Sequence, residues 1–393
     1  MNFPFSGVFA RLGRSQARPL SRRGVGPKSR RRSIGGGGIP EQSAGPAGTW
    51  PDGIPTPYSR AVTGWAIERV VHFGPDDLVK DGFVHFGFHD LTGRHFAIAH
   101  QQHFLGLVGD AGRLEWTIAS EQVFPGVPNI TAAVEYPMYV DSLPDGSLVV
   151  SNLETAQLYR IDPEVMSARL LVDGHAHGMV DMGNCVVDQE GCIWVNEVTG
   201  YRLWRFDAAG RVVHVIGDGQ PGFQRGVAAF DEARFGRIYD IRRGPGDTIY
   251  VLDSGNFALR VVSVGRRRVV TIAGDGHPGY SGDGGDARCA TFGSDPTARF
   301  DGPISLSLDE KGNAFVGDRF NHVVRMIEAG TGIITTIAGS GTADGDRPND
   351  PGERNPQRLN LPQISSMDYH AGRLLVPTDL TAGRGDLAVL RRR

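Results

Sequence analysis

The chain repeats itself. Residues 233–274 (ARFGRIYDIRRGPGDTIYVLDSGNFALRVVSVGRRRVVTIAG) and residues 298–339 (ARFDGPISLSLDEKGNAFVGDRFNHVVRMIEAGTGIITTIAG) align without a gap at an offset of 65, and 12 of the 42 positions are identical. The shared positions include Ala233, Arg234, Phe235, Asp253, Asn256, Arg260 and the run Thr271 to Gly274. Turn glycines, strand apolars and charges recur together. Each copy is a series of short apolar runs split by turn residues, as at Gly312-Asn313 between "ISLSL" and "AFVGD". That pattern reads as an antiparallel meander. A unit of this kind cannot bury its own faces and must stack on others like it.

Fainter copies emerge when the residue ending the second strand is taken as an anchor. "FAIAH" ends at His100, "LVVSN" at Asn152, "IWVNE" at Glu197, "IYVLD" at Asp253, "AFVGD" at Asp318 and "LLVPT" at Thr378. The six units are 52, 45, 56, 65 and 60 residues apart, which suits propeller blades of three or four short strands with loop insertions. Arginine follows the anchor by seven or eight residues in the middle four units, at Arg160, Arg205, Arg260 and Arg325. The sixth unit has only three strands ("ISSMDY", "RLLVPT", "DLAVLR"), while "AIERVVHF" (Ala66 to Phe73) lies ahead of the first unit without partners of its own. Ring closure joins the two: the early segment is predicted to pair as the outer strand of the last blade, removing an exposed edge. The expected fold is all-β, a six-bladed propeller over residues 58–393.

Residues 1–57 carry no apolar periodicity and are rich in Arg, Gly, Ser and Pro ("SRRGVGPKSRRRSIGGGG"), so a disordered basic arm is expected there. Residues 1–45 hold eight arginines and one lysine against Glu41, a charge of +8, and the rest of the chain, at -11, accounts for the net -3. A body this acidic is a poor general binder of phosphate backbones, so any nucleic-acid contact is assigned to the arm. No run approaches the roughly 18 apolar residues of a membrane-spanning helix. Three cysteines among 393 residues cannot frame a disulfide scaffold. A monomeric, soluble, cytoplasmic protein is expected; the Arg- and Ser-rich, acid-poor start offers an organellar transit peptide as the alternative.

The repeats resemble the NHL family. The phrase with Pro, then D..G, then a strand ending in Asp, then N..VR, then TIAG recurs over residues 183–341, more weakly over 88–174 and 364–391. "GDGQPGF" and "GDGHPGYSGDGGDA" are similar to the connectors between that family's blades. The resemblance implies a six-bladed propeller used as a platform for protein or RNA partners. Related six-bladed propellers include metal-dependent lyases and lactonases, and fold alone does not choose among these uses.

In a four-stranded blade the loop after the second strand and the connection to the next blade open on the same face. His100, Asn152, Glu197, Asp253, Asp318 and Thr378 are therefore expected to form a ring around a funnel and to be the ligand-binding set. Three carboxylates there repel unless a cation or bound donors offset them. An oxygen-rich set suits Ca2+ better than Zn2+. The bland role for Asp253 and Asp318 is to hold turn amides or pair with Arg260 and Arg325. His100 and Glu197 depart from the repeat pattern. The connector "DGHAHGMVD" adds His175 and His177, which point to opposite sides if its backbone is extended. With His177 turned inward, His100, His177 and Glu197 form a two-His, one-carboxylate site able to activate water, with His175 as a further candidate ligand.

Other motifs are weaker. Asp275, Asp283 and Asp286, like Asp344 and Asp346, lack EF-hand spacing and read as turn residues. There is no GxSxG elbow or P-loop. Six of the twelve histidines lie between His72 and His103, and His85 and His89 on one strand face are about 13 Å apart, too far for one metal. The expected activity is binding of a peptide, protein or small polar molecule at the funnel face, and the alternative is a metal-dependent lyase or hydrolase in the same funnel.

Overall fold

A computed structural model describes residues 64–73, 84–89, 95–100, 103–108, 114–122, 124–293, 302–343, 347–364, 366–380 and 384–392. All of them belong to the unit Pro55–Arg393; the expected arm over 1–57 lies outside the described residues.

The described residues form six sheets. Blade I is built from Val84–His89, His95–Ala99, Phe104–Val108 and Leu114–Ala119. Blade II is built from Pro137–Ser142, Leu148–Asn152, Gln157–Asp162 and Ser167–Asp173. Blade III uses Cys185–Val187, Ile193–Asn196, Leu203–Phe206 and Val212–Ile216. Blade IV uses Ile238–Arg243, Thr248–Asp253, Ala258–Ser263 and Arg268–Ala273. Blade V uses Ser305–Leu308, Ala314–Asp318, Val323–Ile327 and Ile334–Ala338. The first strand of each blade touches the first strand of the next, and that of blade VI returns to blade I. The six sheets therefore circle a common axis.

Blade VI closes the ring. Asp368–His370, Arg373–Leu380 and Arg384–Arg392 are completed by Trp65–Phe73 as the outer strand. That strand runs antiparallel to the last one, from Trp65 opposite Arg392 to Phe73 opposite Gly385. A bulge between Ile67 and Arg69 inserts a residue, so Val70, three positions beyond Ile67, returns to the buried side with Trp65 and Ile67.

Second strands such as "LVVSN" and "IWVN" are buried along their whole length because both faces meet a neighbouring blade. Polar side chains on the inner strands bond across blades. Asp141 accepts the Val187 amide at 2.8 Å, Asn184 donates to Asp240 at 2.6 Å, Asp240 accepts the Leu306 amide at 2.8 Å, and Ser307 accepts the Tyr369 amide at 2.8 Å. Bonds of this kind fix each sheet against the next as well as satisfying buried polar atoms.

Candidate functional site

The loop after the second strand has the same backbone in five blades. His103, Ala156, Tyr201, Phe257 and His322, three or four residues past the anchors, all take the left-handed conformation, with φ of 56°, 49°, 58°, 51° and 54°. This repetition places His100, Asn152, Glu197, Asp253 and Asp318 at equivalent positions, whereas Thr378 was expected to end its strand and lies two residues short of the end of Arg373–Leu380.

Each anchor is at most 2% exposed. Asp253 accepts the Gly236 amide at 2.8 Å, Asn256 Nδ2 at 2.9 Å and the Arg260 guanidinium at 3.3 Å. Asp318 accepts the Gly293 amide at 2.9 Å and Asn321 Nδ2 at 2.8 Å. Glu197 accepts the Val180 amide at 2.7 Å, Trp204 Nε1 at 2.8 Å and two bonds from Arg202. In all three the carboxylate holds the backbone of the connection that enters its own blade. Asn152 does the same with reversed polarity, donating to the Ala133 carbonyl at 3.2 Å. Thr378 forms a backbone bridge to Ile364 on the way into blade VI. His100 reaches forward to the carbonyl of Pro137, in the first strand of blade II, through Nδ1, and its ring stacks on Tyr136 at 5.3 Å. Mutual repulsion of the three carboxylates is thus offset by separate donor sets. Burial nevertheless raises Asp253 to about 6.

The four strand arginines divide into two kinds. Arg260 lies opposite Val251, two residues before its anchor, whereas Arg160 lies opposite Val149, three residues before its anchor. Strand side chains alternate, so that one-residue difference sends them to opposite sides. Arg260 and Arg325 stay with the connectors; Arg325 pairs with Asp283 at 2.7 Å and donates to the carbonyls of Thr291 and Ser281. Arg160 pairs with Asp145, and Arg205 with Asp188 and Glu190, at the turns between first and second strands. The pairing anticipated between Asp253 and Arg260 is present. Arg325, in contrast, takes its carboxylate from the connector, a partner that strand spacing alone cannot reveal.

The His-x-His segment is a single 3-10 turn, His175–His177, rather than extended chain. Asp173 accepts the His175 amide at 3.1 Å, and Gly178 ends the turn at φ 77°. Both histidines are exposed; His175 Nδ1 contacts the Met179 carbonyl, and His177 lies 6.0 Å from the Phe206 ring. Among the described residues no three His, Cys, Asp or Glu side chains come together as a group able to hold a metal. His100, His175, His177 and Glu197 are all described, and each has the separate surroundings given above.

His100 has a measurable signature. Burial lowers its pKa from 6.5 to about 4, so the folded protein carries it neutral. As pH falls from 6.5 toward 4 the unfolded chain binds a proton that the folded chain does not, and stability drops. Asp240 and Asp253, both raised to about 6 by burial, act in the opposite sense, because below that pH the folded state holds the additional proton. Comparison with His100→Gln isolates the imidazole. Denaturant titrations at pH 7 and pH 5 are expected to show the wild type losing about 2 kcal/mol more than the variant; parallel losses would contradict neutral burial.

The face that carries these loops also has a recess of about 330 Å3 in the connector between blades V and VI, lined by Ser340, Arg347, Asn349, Asp350, Glu353, Gln357 and Arg358. Every one of these side chains is polar. Sequence reasoning missed it, since it arises from an irregular insertion and not from the repeat. Asn349 is held from below by Asp386, which accepts its amide at 2.7 Å. Glu353 and Arg358 are 3.7 Å apart, and the Arg358 side chain is 73% exposed. No helix among the described residues is long and apolar enough to cross a membrane.

Comparison with known proteins bears on the fold. No family model and no curated protein matches the sequence. Solved structures do match. A Bacteroides thetaiotaomicron protein of unknown function is 14% identical with a TM-score of 0.56, covering 83% of this chain and 76% of that one. An auxiliary nutrient binding protein from Bacteroides ovatus is 14% identical with a TM-score of 0.57, covering 84% and 77%. Virginiamycin B lyase from Staphylococcus aureus is 11% identical with a TM-score of 0.50, covering 82% and 99%. At these identities the likeness is one of fold, and it agrees with the six blades counted here.

Proposed function

We propose that the chain is an NHL-type propeller that works as a binding platform, taking a small polar molecule, or a polar segment of a peptide or protein, on the face formed by its connectors. The 330 Å3 recess between blades V and VI, lined by polar residues, carries this reading. Its volume falls at the lower end of small-molecule sites, and its side chains offer donors and acceptors of both charges. The six anchors belong to the same reading as positioning residues: they hold the connections and loops from which the binding face is made. The fold of the Bacteroides ovatus nutrient binding protein is put to a comparable use, although the lyase shows that catalysis is equally compatible with it.

The test is a thermal-shift and calorimetric survey of the purified chain with sugars, amino acids, small carboxylates and short polar peptides. A ligand that binds at this recess is expected to lose about tenfold in affinity, roughly 1.4 kcal/mol, with Arg358→Ala, and a similar amount with Gln357→Ala. Binding indifferent to both substitutions would remove the recess from the proposal. Stoichiometric metal in the purified protein, lost on replacing His100, His177 and Glu197, would instead favour the metal-dependent enzyme.

A further inference from the structure

Six of the nine large apolar side chains exposed among the described residues are Val165, Met166, Leu170, Val212, Val213 and Val215. They share one region, because all lie on the perimeters of blades II and III. The two perimeters adjoin: a side chain added at Gly210, in the last turn of blade III, would lie 2.6 Å from the Leu171 carbonyl of blade II. Exposed apolar residues scattered singly are ordinary, whereas a contiguous cluster marks an interaction surface.

Within it, the outer strand of blade III is unusual as an edge. Blades I and IV cap theirs with short added strands, Asn129–Thr131 on Thr117–Ala119 and Val227–Ala229 on Arg268–Val270. Blade V is covered by its connector, where the Gly284 amide donates to Ile334 and the Ile334 amide to Gly285. The edges of blades II and VI carry charge, at Arg169 and at Glu68. Such devices block edge-to-edge pairing. Val212–Ile216, five residues long, has neither a cap nor a charged side chain among the described residues.

We propose that the chain forms a twofold-symmetric dimer in which this strand pairs antiparallel with the same strand of a second copy. The sequence Val-Val-His-Val-Ile is self-complementary about His214. In that register Val213 faces the partner's Val215, Val212 faces the partner's Ile216, and the twofold axis passes by His214. An isologous interface needs this kind of palindrome. Charges at the two ends also match: Arg211, paired within its own chain with Asp207 and 81% exposed, comes beside the partner's Asp218, itself paired with Arg234 and 45% exposed, so that the pairs extend into a network across the axis. Symmetry repeats the contact. Five paired residues bury too little by themselves for a stable dimer, which needs about 1,200 Å2 or more in total; the proposal therefore also engages the exposed side chains of Leu170 and Met166 on the neighbouring perimeter of blade II, beside Arg169 rather than through pairing of that edge. This assembly differs from the monomer suggested by the sequence.

Sedimentation velocity of the full chain over a wide concentration range tests it. The wild type is expected to show a reversible monomer–dimer equilibrium, with amide exchange of residues 212–216 slowing as concentration rises. Val213→Lys puts like charges into the paired edge and is expected to raise the dissociation constant by about tenfold or more. Arg211→Glu weakens the dimer, and combination with Asp218→Arg restores it. Val227→Lys, at an exposed valine outside this edge, leaves it unchanged. A chain that stays monomeric at every concentration overturns the proposal, even if an added peptide protects the same amides. So does a dimer insensitive to Val213→Lys whose exchange at 212–216 does not vary with concentration, or one weakened equally by Val227→Lys.

Discussion

Replacing Trp65 by alanine is expected to lower stability by about 4 kcal/mol, the loss typical of truncating a large buried aromatic. Trp65 is 5% exposed and meets Phe315 of blade V edge-on, with ring centroids 5.4 Å apart and planes at 83°. Phe315 in turn stacks on Tyr369 of blade VI at 5.4 Å. One side chain of the closing strand therefore ties two blades together. Removing it leaves a cavity bounded by rigid sheets, which cannot collapse to fill the space. Glu68→Ala on the exposed side of the same strand is the comparison: its ion pair with Arg373 is solvent-accessible, and such a pair contributes about 1 kcal/mol or less. Denaturant unfolding of both variants is the measurement. A Trp65→Ala loss as small as that of Glu68→Ala would show that the strand closes the ring by backbone pairing alone.

Asp283→Ala is expected to cost a similar amount, about 3–5 kcal/mol, for an electrostatic reason. Arg325 is fully buried. One oxygen of Asp283 accepts Arg325 Nε at 3.1 Å and a terminal nitrogen at 2.7 Å, while the other accepts the Thr336 amide at 2.9 Å. The guanidinium also lies over Tyr280 and Phe292, at 5.2 and 5.1 Å from their centroids. Alanine at position 283 leaves that cation without its counter-charge where water cannot replace it. Asp283→Asn keeps an acceptor and is expected to lose about half as much. Thermal unfolding should also distinguish this buried pair from Arg288 with Asp286, which is exposed, so that Arg288→Ala leaves the midpoint unchanged. Equal midpoints for Asp283→Ala and Arg288→Ala would mean that the buried pair adds nothing.

Much of the architecture was legible in the sequence because a blade imposes a short, redundant pattern. The identical offsets between residues 233–274 and 298–339 place two blades outright. The unpartnered "AIERVVHF" beside a blade short of one strand implies closure, and the ladder from Trp65 to Phe73 fulfils it. The site was less legible. A polar residue at a strand end can face solvent or reach back to an entering connection, and periodicity does not distinguish these. Glu197 shows the difficulty: it departs from the repeat consensus, yet its longer side chain does the same work on the Val180 amide that Asp253 does on Gly236. Arg160 and Arg260 differ by one residue in offset and so by a whole face of the sheet. His175 and His177 were expected on extended chain, but glycines on either side and the Asp173 carboxylate favour a tight turn. The polar recess is lined by an irregular insertion that the repeat pattern does not contain.

The position of the closing strand has a consequence for how the polypeptide acquires its shape as it is made. Trp65 is translated more than 300 residues before its ladder partner Arg392, so the strand must wait through the synthesis of all five intervening blades with its apolar side unpaired. Contacts so distant along the chain slow folding. A ribosome-bound intermediate would carry this ribbon as a sticky, unsatisfied segment open to capture by chaperones or by a neighbouring nascent chain.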